Sequence, residues 1–179
     1  MAAGARRIVS TCAFINPLTH LPLSGSPHLA LPSPFPYLLL IWHLHMAYWL
    51  MKTEPSAYSY EDLKREGKAT WDGVKNNQAL IYLRAMKAGD QALIYHSGSE
   101  KRIVGLAEIT RGPYPDPRMG NPKLVVVDLE PRRALPHGAP LSQIRALKEF
   151  SGFALIRNSR LSVMPVSAAQ WKELIAMSH

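Results

Sequence analysis

A short glycine-containing connection joins two runs of strand-forming residues in the middle of the chain. The run QALIYHS covers residues 91–97, the run KRIVGLAEIT covers residues 101–110, and Gly98 and Ser99 open the turn between them. A connection of this length predicts an antiparallel hairpin, and Gly105 in the second run predicts a bulge or a bend. Because this pairing is antiparallel and no Gly-rich strand-to-helix turn occurs, a doubly wound α/β fold is disfavoured.

Short strands and helices are predicted on both sides of this hairpin. Alternating and β-branched residues predict further strands at residues 46–52, 123–131 and 160–166. Capping residues before amphipathic runs predict helices at residues 59–67, 76–89 and 167–177. The spacing of apolar residues in LSQIRALKEF predicts another helix at residues 141–150. Turn-forming residues predict loops at residues 68–76, 111–122 and 136–140. Five or six strands with three or four short helices, outside strict βαβ alternation, predict an α+β fold in which a small mixed β-barrel has helices packed around it.

The first 45 residues differ in composition from the rest. They hold six of the fifteen prolines and no acidic residue. Prolines at this density prevent a continuous helix or a central strand, so we expect an unstructured leader at residues 1–45 and a domain at residues 46–179. Met46 directly precedes the first predicted strand, and a second hypothesis makes it the natural start of the protein.

Charge and hydropathy indicate what kind of partner the chain binds. The net charge is +8, and all but two of the basic residues lie beyond residue 45. This excess favours an acidic partner such as nucleic acid. Pro36, His43 and His45 interrupt the apolar run at residues 35–51, so we expect a core strand there and no membrane partner.

Catalytic motifs are missing from the sequence. No HExxH, GxSxG or P-loop pattern occurs. His96 and Ser97 are adjacent on a predicted strand and should point to opposite faces, so they do not form a nucleophile and base pair. Glu54 and Asp72 form an acid–base pair only if their loops meet. No cluster has metal-ligand spacing, so we predict a protein that is not an enzyme and has neither cofactor nor metal.

A binding pocket is the better interpretation of the loop WDGVKN. Trp71 lies there beside Asp72 and Asn76, and aromatic stacking combined with hydrogen bonds is how proteins hold nucleobases. The alternative is that Trp71 fills one end of the barrel while Asn76 caps a helix. Trp49 and Trp171 are expected in the core. Lys75, Arg157 and Arg160 are candidate phosphate-binding residues, although a scattered, solvated set of charges explains them equally well.

Eight short motifs, taken together and in order, resemble an EVE domain of the thymocyte nuclear protein type. They are YWLMKTEP, WDGVKNNQA, LRAMKAGD, ALIYHSG, RIVGLAEI, YPDP, NPKLVVVDL and LIRNSRLSVMPVSAAQW, and they extend over residues 46–177. The resemblance implies a PUA-like fold, related to the YTH and ASCH domains, in which an aromatic-lined pocket holds a nucleobase that is often modified. It also implies a family that is not known as an enzyme class.

The resemblance further implies roles for individual residues. Trp71 would be the aromatic wall of the pocket, and Asn76 and Ser97 would bond the edge of the base. The remaining expected base-binding residues are Lys52, Glu54, Asp72, His96, Tyr114 and Asp116.

The resulting prediction is a non-catalytic reader, a monomer, that binds nucleic acid and holds a modified base, possibly a flipped one, in DNA or RNA. We expect it in the cytoplasm of a bacterium or in the nucleus of a eukaryote. Two alternatives are an enzyme that acts on a modified nucleotide through Glu54 and Asp72, and a protein-interaction module without a base pocket.

Overall fold

A computed structural model of the protein describes residues 46–178. The predicted leader at residues 1–45 lies outside the described residues, and the hypothesis of a start at Met46 stays untested. Within residues 46–178, no helix has both the length and the apolar character that a membrane span requires.

Six strands and five α-helices make up the described domain, which confirms the α+β class. The strands are β1 (Tyr48–Thr53), β2 (Ala69–Trp71), β3 (Gln91–His96), β4 (Arg102–Pro115), β5 (Val125–Pro140) and β6 (Val163–Val166). The α-helices are α1 (Tyr60–Glu66), α2 (Asn77–Ala85), α3 (Leu141–Ala146), α4 (Ala154–Arg157) and α5 (Ala168–Ala176). A 3-10 helix, Lys148–Phe150, follows α3.

All six strands form one mixed sheet in the order β2-β5-β4-β3-β1-β6. Strands β1 and β3 are parallel, whereas the other neighbours, including the predicted hairpin of β3 and β4, are antiparallel. The edge strands β2 and β6 are three and four residues long, and short edges discourage pairing with other chains. Across the described residues the ladder of hydrogen bonds stays open, so the predicted small barrel is not closed.

The centre of the sheet is buried on both faces. Leu50 and Met51 in β1 and Leu93 in β3 are 0% exposed, and Ile94 is 1% exposed. Strands buried on both faces have nearly continuous apolar sequences, as the YWLM and ALIY segments of the two strands illustrate. This buried part of the sheet fixes the positions at which β1 and β3 end.

Trp49 lies in this core, as predicted, and a buried carboxylate accepts its indole N–H. The Trp49 Nε1 donates to Asp90 Oδ2 at 2.9 Å, and the backbone N–H groups of Ala47 and Lys87 donate to the same carboxylate at 3.0 and 2.9 Å. Trp171 is half-buried and stacks on Tyr48 with 4.4 Å between ring centroids.

Three predicted loops were wrong in part, because strand pairing extends into them. Residues 69–71 pair with β5 as the edge strand β2. Residues 111–115 continue β4, and residues 136–140 continue β5. The register of the two long strands shifts repeatedly, on both sides of Arg111 among other places. Proline is tolerated where the ladder is irregular in this way.

The predicted helix caps are confirmed. Ser59 with Asp62, and Ser167 with Gln170, form capping boxes at the starts of α1 and α5. Helix α2 begins after Asn76 as expected but ends at Ala85, before the predicted end at residue 89. The predicted helix at residues 141–150 divides into α3 and the 3-10 helix, and α4 was not predicted.

The bulge or bend predicted at Gly105 is also confirmed. The pairing register between β4 and β5 shifts between Ile103 and Gly105. The ring of Tyr60 lies against Gly105 and leaves no room for a side chain there. Glycine is thus required at this position by the close approach of an aromatic ring.

Candidate functional site

A cavity of about 790 Å³ opens beside β2 and the segment that connects it to α2. Its volume lies within the range of small-molecule and cofactor sites, about 300 to 1,000 Å³. Strand β1 contributes one wall, and the start of α2 contributes another. The lining includes Lys52, Thr53, Tyr58, Glu66, Lys68, Thr70, Trp71, Asp72, Gly73, Val74, Lys75, Asn76, Arg118, Arg160 and Ser162.

Trp71 is the buried aromatic residue of this lining, whereas Tyr58 is half-buried. Trp71 ends β2, where it pairs with Val127 of β5, and its side chain is 8% exposed. The remaining apolar side chains of the lining include Val74, which is also buried. Trp71 therefore gives a mostly polar cavity one fixed aromatic surface.

Positive charge surrounds the cavity. Five cationic side chains and two acidic ones belong to its lining. Lys52 Nζ donates to the Ser159 carbonyl oxygen at 2.7 Å, and burial lowers the pKa of this amine. Lys75 and Arg160 take part in no salt bridge within residues 46–178. Both are exposed, so their charges are available to an anionic ligand.

A buried carboxylate behind β2 fixes two residues of the lining. Asp128 in β5 accepts hydrogen bonds from the Thr70 hydroxyl at 2.9 Å and from the Tyr114 hydroxyl at 2.6 Å. Its other oxygen lies 3.4 Å from Lys68 Nζ. Burial acts to raise the pKa of Asp128, but the bonds from Tyr114 and Thr70 and the Lys68 charge together hold it below its ordinary value. An ionised carboxylate is thus built into the support of the cavity.

A hydrogen bond between two lining residues forms the side of the cavity near α1. The Tyr58 hydroxyl donates to Glu66 Oε2 at 2.8 Å. Burial, followed by this hydrogen bond and the charge of Glu66, raises the pKa of Tyr58 well above its ordinary value. Tyr58 therefore remains a neutral hydroxyl that can contact a ligand.

The structure brings half of the predicted site residues into this one lining. They are Lys52, Trp71, Asp72, Lys75, Asn76 and Arg160. Asn76 also caps α2, because its Oδ1 accepts from the backbone N–H groups of Gln78 and Ala79 at 2.9 and 3.1 Å. The two interpretations of Asn76 are compatible, since capping uses the amide oxygen and leaves the amide NH₂ free to donate.

Three predicted base-binding residues form a separate group where β1 and β3 end. Ser97 Oγ lies 2.8 Å from Glu54 Oε2 and donates to it. His96 Nε2 accepts from the backbone N–H of Tyr60 at 3.0 Å, while its Nδ1 lies 3.0 Å from Glu100 Oε2. These contacts place Glu54, His96 and Ser97 outside the lining, and their role in base binding stays a prediction.

The remaining predicted residues lie in three other places. Tyr114 contacts Asp128 from behind β2, and the Arg111 guanidinium lies 4.3 Å from the centre of its ring. Asp116 belongs to a neighbouring smaller cavity. Arg157 ends α4 and is not part of either lining.

Sequence reasoning did not find Tyr58, Glu66, Lys68, Thr70 or Arg118. Arg118 forms an ion pair with Asp72 and lies 3.4 Å from Asp116 Oδ1. Arg118 is 46 positions from Asp72 in sequence, and Thr70 is 58 positions from Asp128. No local pattern marks Lys68, Thr70 or Arg118, because their positions depend on how β2 and β4 pair with β5.

The described residues lack the ligand sets that metal ions require. Within residues 46–178, no group of three or more histidine, cysteine, aspartate or glutamate side chains is arranged to hold a metal ion. The two carboxylates of the acid–base alternative have different partners, because Glu54 bonds Ser97 whereas Asp72 pairs with Arg118.

Comparison with known proteins agrees with this architecture. The sequence model of the EVE domain matches residues 47–177. The chain belongs to the EVE domain family. Human thymocyte nuclear protein 1 is 31% identical to this EVE domain protein, and the alignment covers 73% of each chain.

Solved structures of relatives have the same fold. A Rhodopseudomonas palustris protein solved by NMR is 41% identical, with a TM-score of 0.71 over 74% of this chain and 93% of that one. A crystal structure of human THYN1 protein in complex with 5-methylcytosine-containing DNA is 29% identical, with a TM-score of 0.68 over 74% of this chain and 98% of that one. These likenesses confirm the PUA-like fold implied by the sequence motifs.

Proposed function

We propose that this EVE domain protein is a non-catalytic reader that binds nucleic acid and holds one modified base in the Trp71 cavity. The observation that carries the proposal is a single buried aromatic wall inside a cavity with a cationic rim. Planar bases stack on such a wall, and phosphates are attracted to such a rim.

The polar groups around Trp71 supply hydrogen bonds of both kinds. The Asn76 amide can donate to a base edge. The Asp72 carboxylate and the Tyr58 oxygen, whose own proton is donated to Glu66, can accept from an exocyclic amine. Aspartate and glutamate are known acceptors for the N4 amine of cytosine. Together with the relative solved on 5-methylcytosine-containing DNA, this favours a modified cytosine in DNA as the first ligand to test.

Nucleic acid binding also bears on where the protein acts. We propose that it works where nucleic acid is accessible, which is the cytoplasm in a bacterial host and the nucleus in a eukaryotic one. Imaging of a fluorescently tagged full-length chain in its native host tests this assignment. Exclusion of the tagged chain from the compartment that holds DNA contradicts it.

The binding test compares matched duplexes that differ only in one central base, cytosine or 5-methylcytosine. Fluorescence anisotropy of the wild-type protein should show tighter binding to the modified duplex. In Trp71→Ala this affinity should fall by about one to two decades, because stacking contributes roughly 1 to 3 kcal/mol per base. An RNA panel of the same design tests whether DNA is the preferred polymer.

Trp171→Ala is the matched control. It also removes a tryptophan, but Trp171 stacks on Tyr48 and does not belong to the cavity lining. Circular dichroism establishes that both variants are folded, and Trp71→Phe provides a milder change if Trp71→Ala does not fold. A folded Trp71→Ala that binds as tightly as the wild type contradicts the proposal. Loss or conversion of the modified base during incubation, detected by mass spectrometry, favours the enzyme instead.

A further inference from the structure

A second cavity, of about 370 Å³, lies directly beside the Trp71 cavity. The two cavities are adjacent because five residues line both of them: Asp72, Gly73, Val74, Lys75 and Arg118. The shared segment and the ion pair of Asp72 with Arg118 therefore form the wall that separates them.

The smaller cavity has an apolar part beside the four charged residues of its lining, Asp72, Lys75, Asp116 and Arg118. Val125 and Val126 form its buried part, and Leu124 and Met119 complete it. Met119 is 49% exposed, and within residues 46–178 the other exposed large hydrophobic side chain is Ile81, at 54%. An exposed apolar side chain next to a cavity offers a contact surface for an apolar face of a ligand.

Hydrogen bonds of its own backbone fix the loop that carries Met119. The Asp116 N–H donates to the Leu124 carbonyl oxygen at 2.8 Å, and the Leu124 N–H donates to the Asn121 carbonyl oxygen at 3.0 Å. The Met119 N–H donates to the Asp116 carbonyl oxygen at 3.3 Å. Met119 is therefore presented on an ordered loop, which lowers the entropic cost of using it for binding.

The charges at the junction of the two cavities match a nucleic-acid strand. Lys75 and Arg118 belong to both linings, so a phosphate that links two neighbouring nucleotides would meet cationic groups there. Asp116 is buried, and its Oδ1 already accepts from the Arg118 backbone N–H at 2.9 Å. The remaining surface is apolar and suits the face of a base better than its hydrogen-bonding edge.

We propose that the smaller cavity binds the base adjacent to the recognised base on the same strand, packed against Met119. The proposal rests on the proposed function, since it needs the recognised base in the Trp71 cavity. The thioether of methionine packs well against aromatic rings. Because the surface around Met119 is apolar and would contact the face of the base, the site requires a base but tolerates any of the four.

The test is a cycle of two proteins and three duplexes. Each duplex carries one 5-methylcytosine. The first duplex has all its bases, the second has an abasic site directly 5′ of the 5-methylcytosine, and the third has an abasic site directly 3′ of it. Wild type and Met119→Ser are measured on each duplex by fluorescence anisotropy. One abasic position should weaken wild-type binding by about three- to tenfold relative to Met119→Ser, given the strength of sulfur–aromatic contacts. Any effect of the abasic site on the DNA itself cancels in this ratio.

Ile81→Ser is the matched control, because it removes the other exposed apolar side chain, on α2. It should keep the full wild-type sensitivity to the abasic site. Equal sensitivity of wild type and Met119→Ser at both abasic positions overturns the inference. The affinities of the same proteins for duplexes with unmodified cytosine test the proposed function separately. If the protein is a reader, wild type and Met119→Ser should both bind the 5-methylcytosine duplex more tightly than the cytosine duplex. The protein can thus distinguish 5-methylcytosine from cytosine even if Met119 does not contact the neighbouring base. Met119 can also contact the neighbouring base even if the protein does not distinguish the two cytosines.

Discussion

Trp49 and Trp71 are buried to nearly the same extent, 6% and 8% exposed, but they lie in regions built for different purposes. Trp49 is in β1, an interior strand of the sheet, where its neighbours are packed on both faces. Trp71 ends the short edge strand β2 and contributes to an open cavity. Burial alone therefore does not distinguish a structural tryptophan from one that is available to a ligand.

The carboxylates beside the two tryptophans differ in the same way. Asp90 accepts three N–H groups, from Trp49, Ala47 and Lys87, and this network is enclosed in the core. Asp128 contacts Thr70 and Lys68, and both of these residues line the cavity. The first network should affect stability alone, whereas the second should affect both stability and binding.

Asp90→Ala should have the largest effect and should act on stability. It leaves several N–H groups without an acceptor, and each unsatisfied buried donor costs about 1 to 3 kcal/mol. We expect the free energy of unfolding, measured by urea denaturation, to fall by about 3 kcal/mol or more. The folded fraction should bind modified DNA with wild-type affinity, and a selective loss of affinity would remove the contrast between the two regions.

Asp128→Asn should have a smaller effect, on both properties. The amide loses the attraction to Lys68, and we expect unfolding to become easier by about 1 kcal/mol at neutral pH. Affinity for modified DNA should also fall, though less than in Trp71→Ala, because Lys68 loses its charge partner. Asp62→Asn is the control: that carboxylate is held at a pKa of about 2, chiefly by Ser59, and lies outside the cavity.

The contribution of Asp128 to the free energy of unfolding should depend on pH in a direction that can be tested. Because the pKa of Asp128 is lower in the folded protein than in an unfolded chain, its ionised form stabilises the fold above the ordinary carboxyl pKa of about 4. This contribution disappears as the pH falls through the folded value. The stability difference between wild type and Asp128→Asn should therefore shrink in acid, and a difference that grows in acid would contradict the assignment.

Lys75→Ala should have the smallest effect, confined to binding. Lys75 is exposed and makes no salt bridge within the described part of the chain, so the free energy of unfolding should not change. If its amine contacts a phosphate, the slope of log affinity against log salt should decrease by about 1. Lys172→Ala on the exposed face of α5 is the control and should keep the wild-type slope. Equal salt slopes for Lys75→Ala and Lys172→Ala would show that Lys75 does not contact a phosphate.

Local sequence signals predicted much of the fold. The antiparallel hairpin at Gly98, the capping boxes at Ser59 and Ser167 and the cap at Asn76 all depend on residues close together in the chain. The strands that replaced predicted loops depend on distant partners. Residues 69–71, for example, become a strand because β5 lies beside them, and this pairing overrides their turn-like composition.

The candidate site was predicted in part for the same reason. Trp71, Asp72, Lys75 and Asn76 are neighbours in sequence, and they reach the same cavity together. Ser97 and Glu54 were assigned to the cavity from motifs alone, whereas the structure pairs them with each other elsewhere. Arg118 reaches the lining because its loop folds back onto Asp72, which no local pattern indicates.

The sequence by itself determined the α+β class, the family and the identity of the aromatic residue at the candidate site, because periodicity, caps and ordered motifs are local properties of a chain. Only the tertiary structure decided that the sheet is open, that Asp128 supports one side of the cavity and that a second, apolar cavity adjoins it. These features arise from contacts between residues far apart in sequence, whose positions follow from strand pairing and the packing of the whole domain.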